Sequence, residues 1–180
     1  AHPLGHLSPV ETAAQHHERP DRRFEACYLL AQRECLVCPD ADFPRAEAAL
    51  KALFEDPKHD AGARLSKLRA IVHESLPFDV DVLATAAKIK EQSADPDVQL
   101  KYYLDMADYM SFMYGGWEWG QEQPGVDPLN PAYSYEARLD LMDKGIADPK
   151  VVNKIPLHFH KAWLLDKLDR FAEAEQIYLM

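Results

Sequence analysis

Cysteine and histidine side chains near the start of the chain have the spacing of metal ligands. Cys35 and Cys38 form a Cys-x-x-Cys pair, and His16 and His17 precede them. Thiolates and imidazoles of this kind bind zinc tetrahedrally, so these residues could form a zinc site. Cys27, Cys35 and Cys38, however, are eight and three residues apart on one predicted helix and share its apolar face. Small buried thiols account for that pattern without a metal, and we therefore expect no metal and no cofactor.

A second group that could do chemistry is the pair His158 and His160. Residues two apart on a helix point to different sides, so one metal ion is not readily held by both. The chain contains no His-Glu-x-x-His, no glycine-rich phosphate loop and no Gly-x-Ser-x-Gly. We therefore predict no catalytic residues. A helical pocket near Trp117, His158 and His160, which would make the chain an enzyme or a small-molecule binder, is the alternative hypothesis.

The segment from Phe112 to Tyr135 is rich in aromatic and acidic side chains and contains no Lys or Arg. The first basic residue after it is Arg138. Such a segment could hold a basic or apolar part of a partner through stacking and cation–π contacts. The alternative is that its tryptophans attach an irregular loop to the helices. Its aromatic and acidic residues are Phe112, Tyr114, Trp117, Trp119, Tyr133, Tyr135, Glu118, Glu122 and Asp127.

The residues that we expect to contact a partner come from this segment and from two neighbouring helices. Trp163 would line the groove in which the partner lies, and acidic Glu118 would favour basic residues in it. The predicted partner-binding residues are Tyr103, Tyr114, Trp117, Glu118, Trp119 and Trp163.

Helix signals are dense along the chain and strand signals are nearly absent, which predicts an all-α fold. Asp95 and Pro96 have the cap and first-position preferences of a helix start, and a stripe of apolar residues follows them as far as Met110. Asn130-Pro131 starts a further helix that Gly145 is expected to stop, and Asp148-Pro149 begins a short helical segment broken near Pro156. Together the patterns predict about nine or ten helices. The first ends near residue 18, and the others have the approximate bounds 21–38, 44–55, 61–75, 79–93, 96–114, 131–145, 149–156, 157–168 and 170–180.

The length of 180 residues, 47% of them apolar, fits one helical domain with a buried core. Within 1–180 we expect an N-terminal extension at 1–20 and an inserted aromatic loop at 115–131. Asp-Pro pairs reset the chain direction because aspartate caps the next helix and proline cannot continue the previous one. They divide the chain into units of about 21–57, 58–95, 96–148 and 149–180.

Two distant stretches have nearly the same pattern. Phe43 and Phe171 are each followed by small and acidic residues and then, seven places later, by Leu50 and Tyr178. This spacing puts the aromatic and the later apolar residue on one helical face. Alanines between them would let a neighbouring helix approach closely, which suggests stacked helix pairs.

These residues resemble the tetratricopeptide-repeat family. The match is carried by 157–180, where Asp169-Arg170-Phe171-Ala172-Glu173-Ala174 is similar to the second helix of such a repeat, and by 42–57, which ends in Asp56-Pro57. The resemblance implies antiparallel helix pairs stacked as a solenoid or an irregular helical bundle. It also implies a scaffold or peptide receptor with its ligand in the concave groove.

The net charge of −10 is uneven: residues 1–90 carry −2 and residues 91–180 carry −8. An acidic second half repels phosphate backbones, so we expect no nucleic-acid partner. No apolar run approaches the length of a membrane span, so none is expected. An odd, low number of cysteines suggests a reducing compartment, and the predicted location is cytoplasmic.

These observations favour a non-catalytic protein–protein interaction module, such as an adaptor, chaperone or inhibitor, which binds a basic or amphipathic segment of a partner. A further alternative is a subunit of a larger helical assembly. The sequence stops at Leu179-Met180 inside an amphipathic pattern with no polar cap, and repeat arrays normally need one. The C-terminal helix could therefore be covered by another chain, including a second copy.

Overall fold

The computed structural model describes residues 28–29, 43–70, 81–113 and 130–180. Every regular element in these ranges is helical and none is a strand, which confirms the predicted all-α class. Predicted helices between residues 1 and 38 lie outside the described residues, apart from helical Tyr28 and Leu29. The helices are α1 (Phe43–Glu55), α2 (Ala61–Ala70), α3 (Val82–Glu91), α4 (Pro96–Met113), α5 (Tyr135–Ala147), α6 (Ile155–Lys167) and α7 (Phe171–Tyr178), with a 3₁₀ turn at Pro131–Tyr133.

Side-chain caps explain where several of these helices begin. Asp95 Oδ1 accepts a hydrogen bond from Asp97 N at 2.9 Å, as the Asp-Pro signal predicts for α4. Asn130 Oδ1 accepts from Ala132 N at 3.0 Å and starts the 3₁₀ turn. Ser134 then caps α5, so the predicted start at Asn130 belongs to the turn and the α-helix begins five residues later. No helix in the described ranges is long and apolar enough to cross a lipid bilayer.

The chain folds into two compact units, Ala1–Gln92 and Ser93–Met180. The expectation of a single domain stays a prediction. In the first unit, α3 packs against both α1 and α2. The Tyr28 and Phe54 rings meet edge to face with centroids 6.1 Å apart. The core of the described part of this unit contains Tyr28, Leu50, Phe54, Leu65, Leu68, Val82, Ala86 and Ile89.

A buried arginine joins the helices of the first unit. Arg64 of α2 is 1% exposed, and its Nη1 donates to the Phe54 carbonyl oxygen and to Gln92 Oε1, each at 2.8 Å. Gln92 Nε2 in turn donates to the Glu55 carbonyl oxygen at 3.3 Å. Two carbonyl groups at the end of α1, those of Phe54 and Glu55, are therefore satisfied by Arg64 of α2 and by Gln92, which directly follows α3.

The second unit is a series of helices that pack on their sequence neighbours. α5 packs on α4, α6 on α5 and α7 on α6, and α6 also contacts α4. Tyr109 meets Tyr133 with ring centroids 6.1 Å apart, next to the start of α5. Tyr103, earlier in α4, lies against Gly145 near the end of α5. These two contacts show that α4 and α5 run antiparallel. The core contains Tyr103, Ala107, Leu139, Met142, Val151, Leu157, Ala162, Leu164, Leu165 and Ala174.

The prediction that Gly145 stops a helix is wrong, because Gly145 lies inside α5, which continues to Ala147. A Cβ atom at this position would lie 2.8 Å from Leu157 Cδ1 and 2.9 Å from Tyr103 Cγ. Gly145 therefore allows α4 and α6 to approach α5 closely. Glycine reduces helix propensity by about 1 kcal/mol relative to alanine, and close packing compensates for that loss here.

The prediction that Asp148-Pro149 begins a helix is also wrong. Asp148 forms a turn in which its Oδ1 accepts from Lys150 N at 2.9 Å, and residues 151–154 are not helical. The next helix begins at Ile155, with Pro156 in its first turn. Proline is tolerated there because the first turn has no internal acceptor for its missing N–H, so Pro156 starts a helix instead of breaking one.

Candidate functional site

Most of the predicted partner-binding residues fall in the stretch between α4 and the 3₁₀ turn. Tyr114, Trp117, Glu118 and Trp119 lie outside the described residues. Their role in holding a partner therefore stays a prediction. The structure describes the other two predicted residues, Tyr103 and Trp163.

Tyr103 lies in the core of the second unit and not at its surface. It is 5% exposed, and its hydroxyl donates to Asp148 Oδ2 at 2.9 Å. Its ring lies against the backbone of α5 at Gly145. The apolar stripe of α4 to which Tyr103 belongs is covered by α5, so Tyr103 stabilises the packing of two helices and its ring is not available to a partner.

Trp163 of α6 is half-buried and packs among aromatic and cationic side chains of α5 and α6. Its ring centroid is 6.4 Å from that of Tyr135 and 5.6 Å from that of His160. The buried Arg138 guanidinium carbon lies 4.4 Å from the Tyr135 centroid and 5.8 Å from that of Trp163. Lys167 Nζ lies 5.3 Å from the Trp163 ring. These cation–π contacts hold Trp163 between the helices and use much of its ring.

The groups considered for metal binding or catalysis do not form a donor cluster where they are described. His158 and His160 both lie on helical α6, as predicted, and His160 contacts Trp163. Among the described residues, no three His, Cys, Asp or Glu side chains converge as ligands would. Trp117, the third member of the alternative pocket, lies outside them. So do the residues of the zinc hypothesis, which are His16, His17, Cys35 and Cys38, and so does Cys27.

The exposed apolar surface of the described residues is concentrated at the C-terminal end. Eight large hydrophobic side chains are exposed in these ranges, and all except Leu29 lie between Val152 and Met180. Exposed apolar patches with a polar rim mark interaction sites more often than isolated apolar residues do. The seven exposed fractions are Val152 76%, Ile155 65%, Phe159 59%, Phe171 60%, Tyr178 48%, Leu179 79% and Met180 89%.

Helical spacing gathers four of these side chains into one surface, which we call the C-terminal apolar face: Ile155, Phe159, Phe171 and Tyr178. Ile155 and Phe159 are one turn apart on α6, and Phe171 and Tyr178 are two turns apart on α7. The Phe159 and Tyr178 rings join the two helices, with centroids 6.3 Å apart. The face therefore spans both helices of the hairpin formed by α6 and α7.

Ala174 and partly buried Ile177 mark the side of α7 that packs against the core of the second unit. Ala174 is 1% exposed and is the only buried residue of α7, where its small side chain lets the helix approach α6. Of the two alanines in the predicted pattern of α7, Ala174 is therefore buried, whereas Ala172 is exposed. Phe171 and Tyr178 share one side of the helix, as predicted, but that side is largely uncovered. The repeated aromatic pattern therefore marks an exposed surface in this unit, and neither Phe171 nor Tyr178 is among the predicted partner-binding residues.

The turn between α6 and α7 is tight and strained. Asp169 has φ of 57°, in the left-handed region that non-glycine residues rarely adopt. Arg170 N donates to the Leu165 carbonyl oxygen at 2.9 Å, which closes the end of α6. This turn sets the orientation of α7 and so brings Tyr178 beside Phe159.

Charges around the C-terminal apolar face are balanced. Residues 152–180 carry four basic and four acidic residues. Arg170 and Glu173 form a two-pronged pair, with Nε to Oε1 and Nη2 to Oε2 both at 2.7 Å. The hydrogen bond from Arg170 lowers the pKa of Glu173 below its ordinary value. Glu173 therefore stays ionised, and the rim is neutral overall although the chain is acidic.

The Tyr178 hydroxyl joins α7 to α6. It donates to Asp166 Oδ2 at 3.1 Å. Partial burial raises the pKa of Tyr178 above its ordinary value, and the hydrogen bond to the Asp166 carboxylate acts in the same direction. The folded state therefore favours the neutral phenol, because a phenolate would lose the hydrogen bond and face a carboxylate.

Alkaline titration should detect this contact. Because the folded pKa is raised, the contribution of the phenol to stability is complete below the unfolded pKa of about 10 and is lost as the pH rises through the folded pKa. The difference in phenolate absorbance between the wild type and Tyr178→Phe should have a midpoint above pH 10. A midpoint at or below the ordinary tyrosine pKa would show that the hydroxyl does not bind Asp166.

Comparison of the chain with protein-family models, with curated proteins and with solved structures finds no match. The resemblance to tetratricopeptide repeats is therefore an interpretation of residues 42–57 and 157–180.

Proposed function

We propose that this protein is a non-catalytic protein-binding module that takes an amphipathic helix of a partner onto the C-terminal apolar face. The observation that carries the proposal is the concentration of exposed large hydrophobic residues, seven of the eight in the described ranges, between Val152 and Met180. Leaving these side chains in water is unfavourable, and a partner that covers them gains the free energy of burial.

The packing within the second unit suggests that the partner segment is a helix. α6 lies against both α4 and α5, so the pair α4 and α5 is covered by the next helix of the series. The pair α6 and α7, by contrast, has exposed aromatic side chains on both of its helices. A groove between two antiparallel helices accepts the ridge of a third helix, with apolar anchors at positions i, i+3 or i+4, and i+7.

The charge pattern favours an amphipathic segment of mixed charge at this face. Residues 152–180 carry four basic and four acidic residues, so they neither attract nor repel a highly charged partner strongly. Glu118, Glu122 and Asp127, which lie between α4 and the 3₁₀ turn in the sequence, would favour basic residues elsewhere in the partner. We keep Tyr114, Trp117, Glu118, Trp119 and Trp163 as proposed contacts with such basic residues of the partner.

The resemblance to tetratricopeptide repeats supports the same proposal, since such repeats act as scaffolds or peptide receptors. An adaptor, a chaperone and an inhibitor would all use the binding surface in this way. We propose the cytoplasm as the compartment, because three cysteines in 180 residues suggest a reducing environment instead of a disulfide framework.

Binding of a designed peptide tests the proposal without knowledge of the natural partner. The probe is a fluorescein-labelled peptide of about 18 residues, or five helical turns, with leucines on one face and equal numbers of Glu and Lys on the other. The matched control has the same composition in an order that does not gather the leucines. We expect the amphipathic peptide to bind at least about tenfold more tightly, as measured by fluorescence anisotropy.

Two protein variants locate the binding surface. Phe159→Asp should weaken binding of the amphipathic peptide by about tenfold or more, because it puts a charge at the junction of α6 and α7. Gln176→Glu adds the same charge to α7 at about 140° around the helix from Phe171, so it should leave binding unchanged. Equal binding of the two peptides, or an unaffected Phe159→Asp variant with wild-type circular dichroism, would refute the proposal.

A further inference from the structure

We infer that the C-terminal apolar face also pairs with the same face of a second copy of this chain, so that self-association covers it when no partner helix is bound. This pairing rests on the proposed function, because both use the same surface. It adds that binding of the partner is regulated by self-association, because the partner helix and the second copy compete for Phe159 and Tyr178.

Charge is the first reason to choose a second copy as the occupant. Two chains that each carry −10 repel one another, and most of that charge lies in residues 91–180, which carry −8. Residues 93–151 hold four basic and eleven acidic residues, whereas residues 152–180 hold four of each. The segment that carries the exposed apolar residues is thus also the part of the second unit where approach of a like-charged copy is not opposed.

The shape of the hairpin is the second reason. α6 and α7 are antiparallel neighbours with an uncovered apolar side formed by both helices. Two such hairpins related by a twofold axis cover each other and form an antiparallel four-helix arrangement. The contact is self-complementary in this arrangement, since each copy supplies the same helix pair, and it closes without leading to a filament.

The size of the face sets the expected strength. Phe159, Phe171 and Tyr178 are about half exposed, which leaves on the order of 100 Å² of each ring accessible. With Ile155 the exposed apolar area of the face reaches several hundred Å², comparable with a large functional patch. Stable interfaces bury about 800 Å² on each partner, so we expect a reversible dimer and not an obligate one.

Sedimentation equilibrium of the full chain tests this pairing in the absence of any partner. The mass should rise from 20.5 kDa toward twice that value between about 1 μM and 1 mM protein. Phe159→Asp should shift the midpoint to at least about tenfold higher concentration. Ile155→Asp, at a second exposed position on α6, should act in the same way, while Gln176→Glu should behave as the wild type.

Addition of the amphipathic peptide supplies a separate readout. Saturating peptide should convert the dimer to peptide-bound monomer, whereas the control peptide should not. A wild-type mass of one chain across the whole range would overturn the pairing, and so would a dimer that persists in folded Phe159→Asp or growth beyond two copies. If the dimer is sensitive to Phe159→Asp but no peptide binds, the pairing stands and the proposed function fails.

Discussion

Replacing Leu157 with alanine should lower the free energy of unfolding of the second unit by about 2–5 kcal/mol. Leu157 is 0% exposed, and its Cδ1 lies 2.8 Å from the position that a Cβ on Gly145 would take. The side chain therefore fills the space left where α4, α5 and α6 meet. Truncation would leave a cavity there, since the rings and backbone around it cannot collapse freely.

Tryptophan fluorescence during urea unfolding measures this change, because the three tryptophans, Trp117, Trp119 and Trp163, all belong to the second unit. Ile155→Ala is the matched control: it removes a similar side chain two residues earlier on α6, where exposure is 65%. It should change stability by no more than about 0.5 kcal/mol. Equal destabilisation by both substitutions would mean that α6 packs with a different side toward the core.

Replacing Arg64 with methionine should destabilise the first unit by about 3 kcal/mol, since hydrogen bonds from a charged group contribute about 1.5–3 kcal/mol each. Methionine keeps much of the side-chain volume but cannot donate to the Phe54 carbonyl oxygen or to Gln92 Oε1. Burial lowers the pKa of Arg64, and Asp56 and Asp60 act in the opposite direction. The guanidinium therefore depends on its acceptors and nearby carboxylates for stability in the buried position.

Far-UV circular dichroism during urea unfolding measures the effect of Arg64→Met, and tryptophan fluorescence should stay close to that of the wild type because no tryptophan lies in the first unit. Lys58→Ala, at an exposed position in the turn before α2, is the control and should change stability by about 0.5 kcal/mol or less. A change of that small size in Arg64→Met would show that the buried hydrogen bonds do not hold α1, α2 and α3 together.

The two sides of α6 thus have separate roles in the second unit. Leu157 belongs to the core, whereas Ile155 and Phe159, on the other side of the helix, belong to the C-terminal apolar face. Substitutions on the exposed side should therefore change binding and self-association with little change in stability. This separation allows the proposed function to be tested with variants that remain folded.

Local sequence determined the helical class and many helix bounds. The prediction of 44–55 matches Phe43–Glu55 closely, and Asp95-Pro96 marks the start of α4. Capping and periodicity act within one or two turns, so the residues that decide them are adjacent in the chain. Local signals of the same kind gave wrong predictions of helix ends at Gly145 and Pro156. A glycine can end a helix or allow close packing, and a proline can break a helix or begin one, and neighbouring residues do not distinguish these uses.

Tertiary structure alone decided which apolar faces are covered. Helical spacing groups Tyr103 with the apolar stripe of α4, and it groups Phe171 with Tyr178 on α7, in the same way. The first group is buried under α5, while Ala174 docks α7 on α6 and leaves the second group exposed. Spacing establishes that residues share a side of a helix, but burial depends on whether another helix packs there. Such a contact joins residues that are far apart in sequence. The exposure of the candidate binding face therefore depends on how the helices pack and cannot be predicted from local sequence.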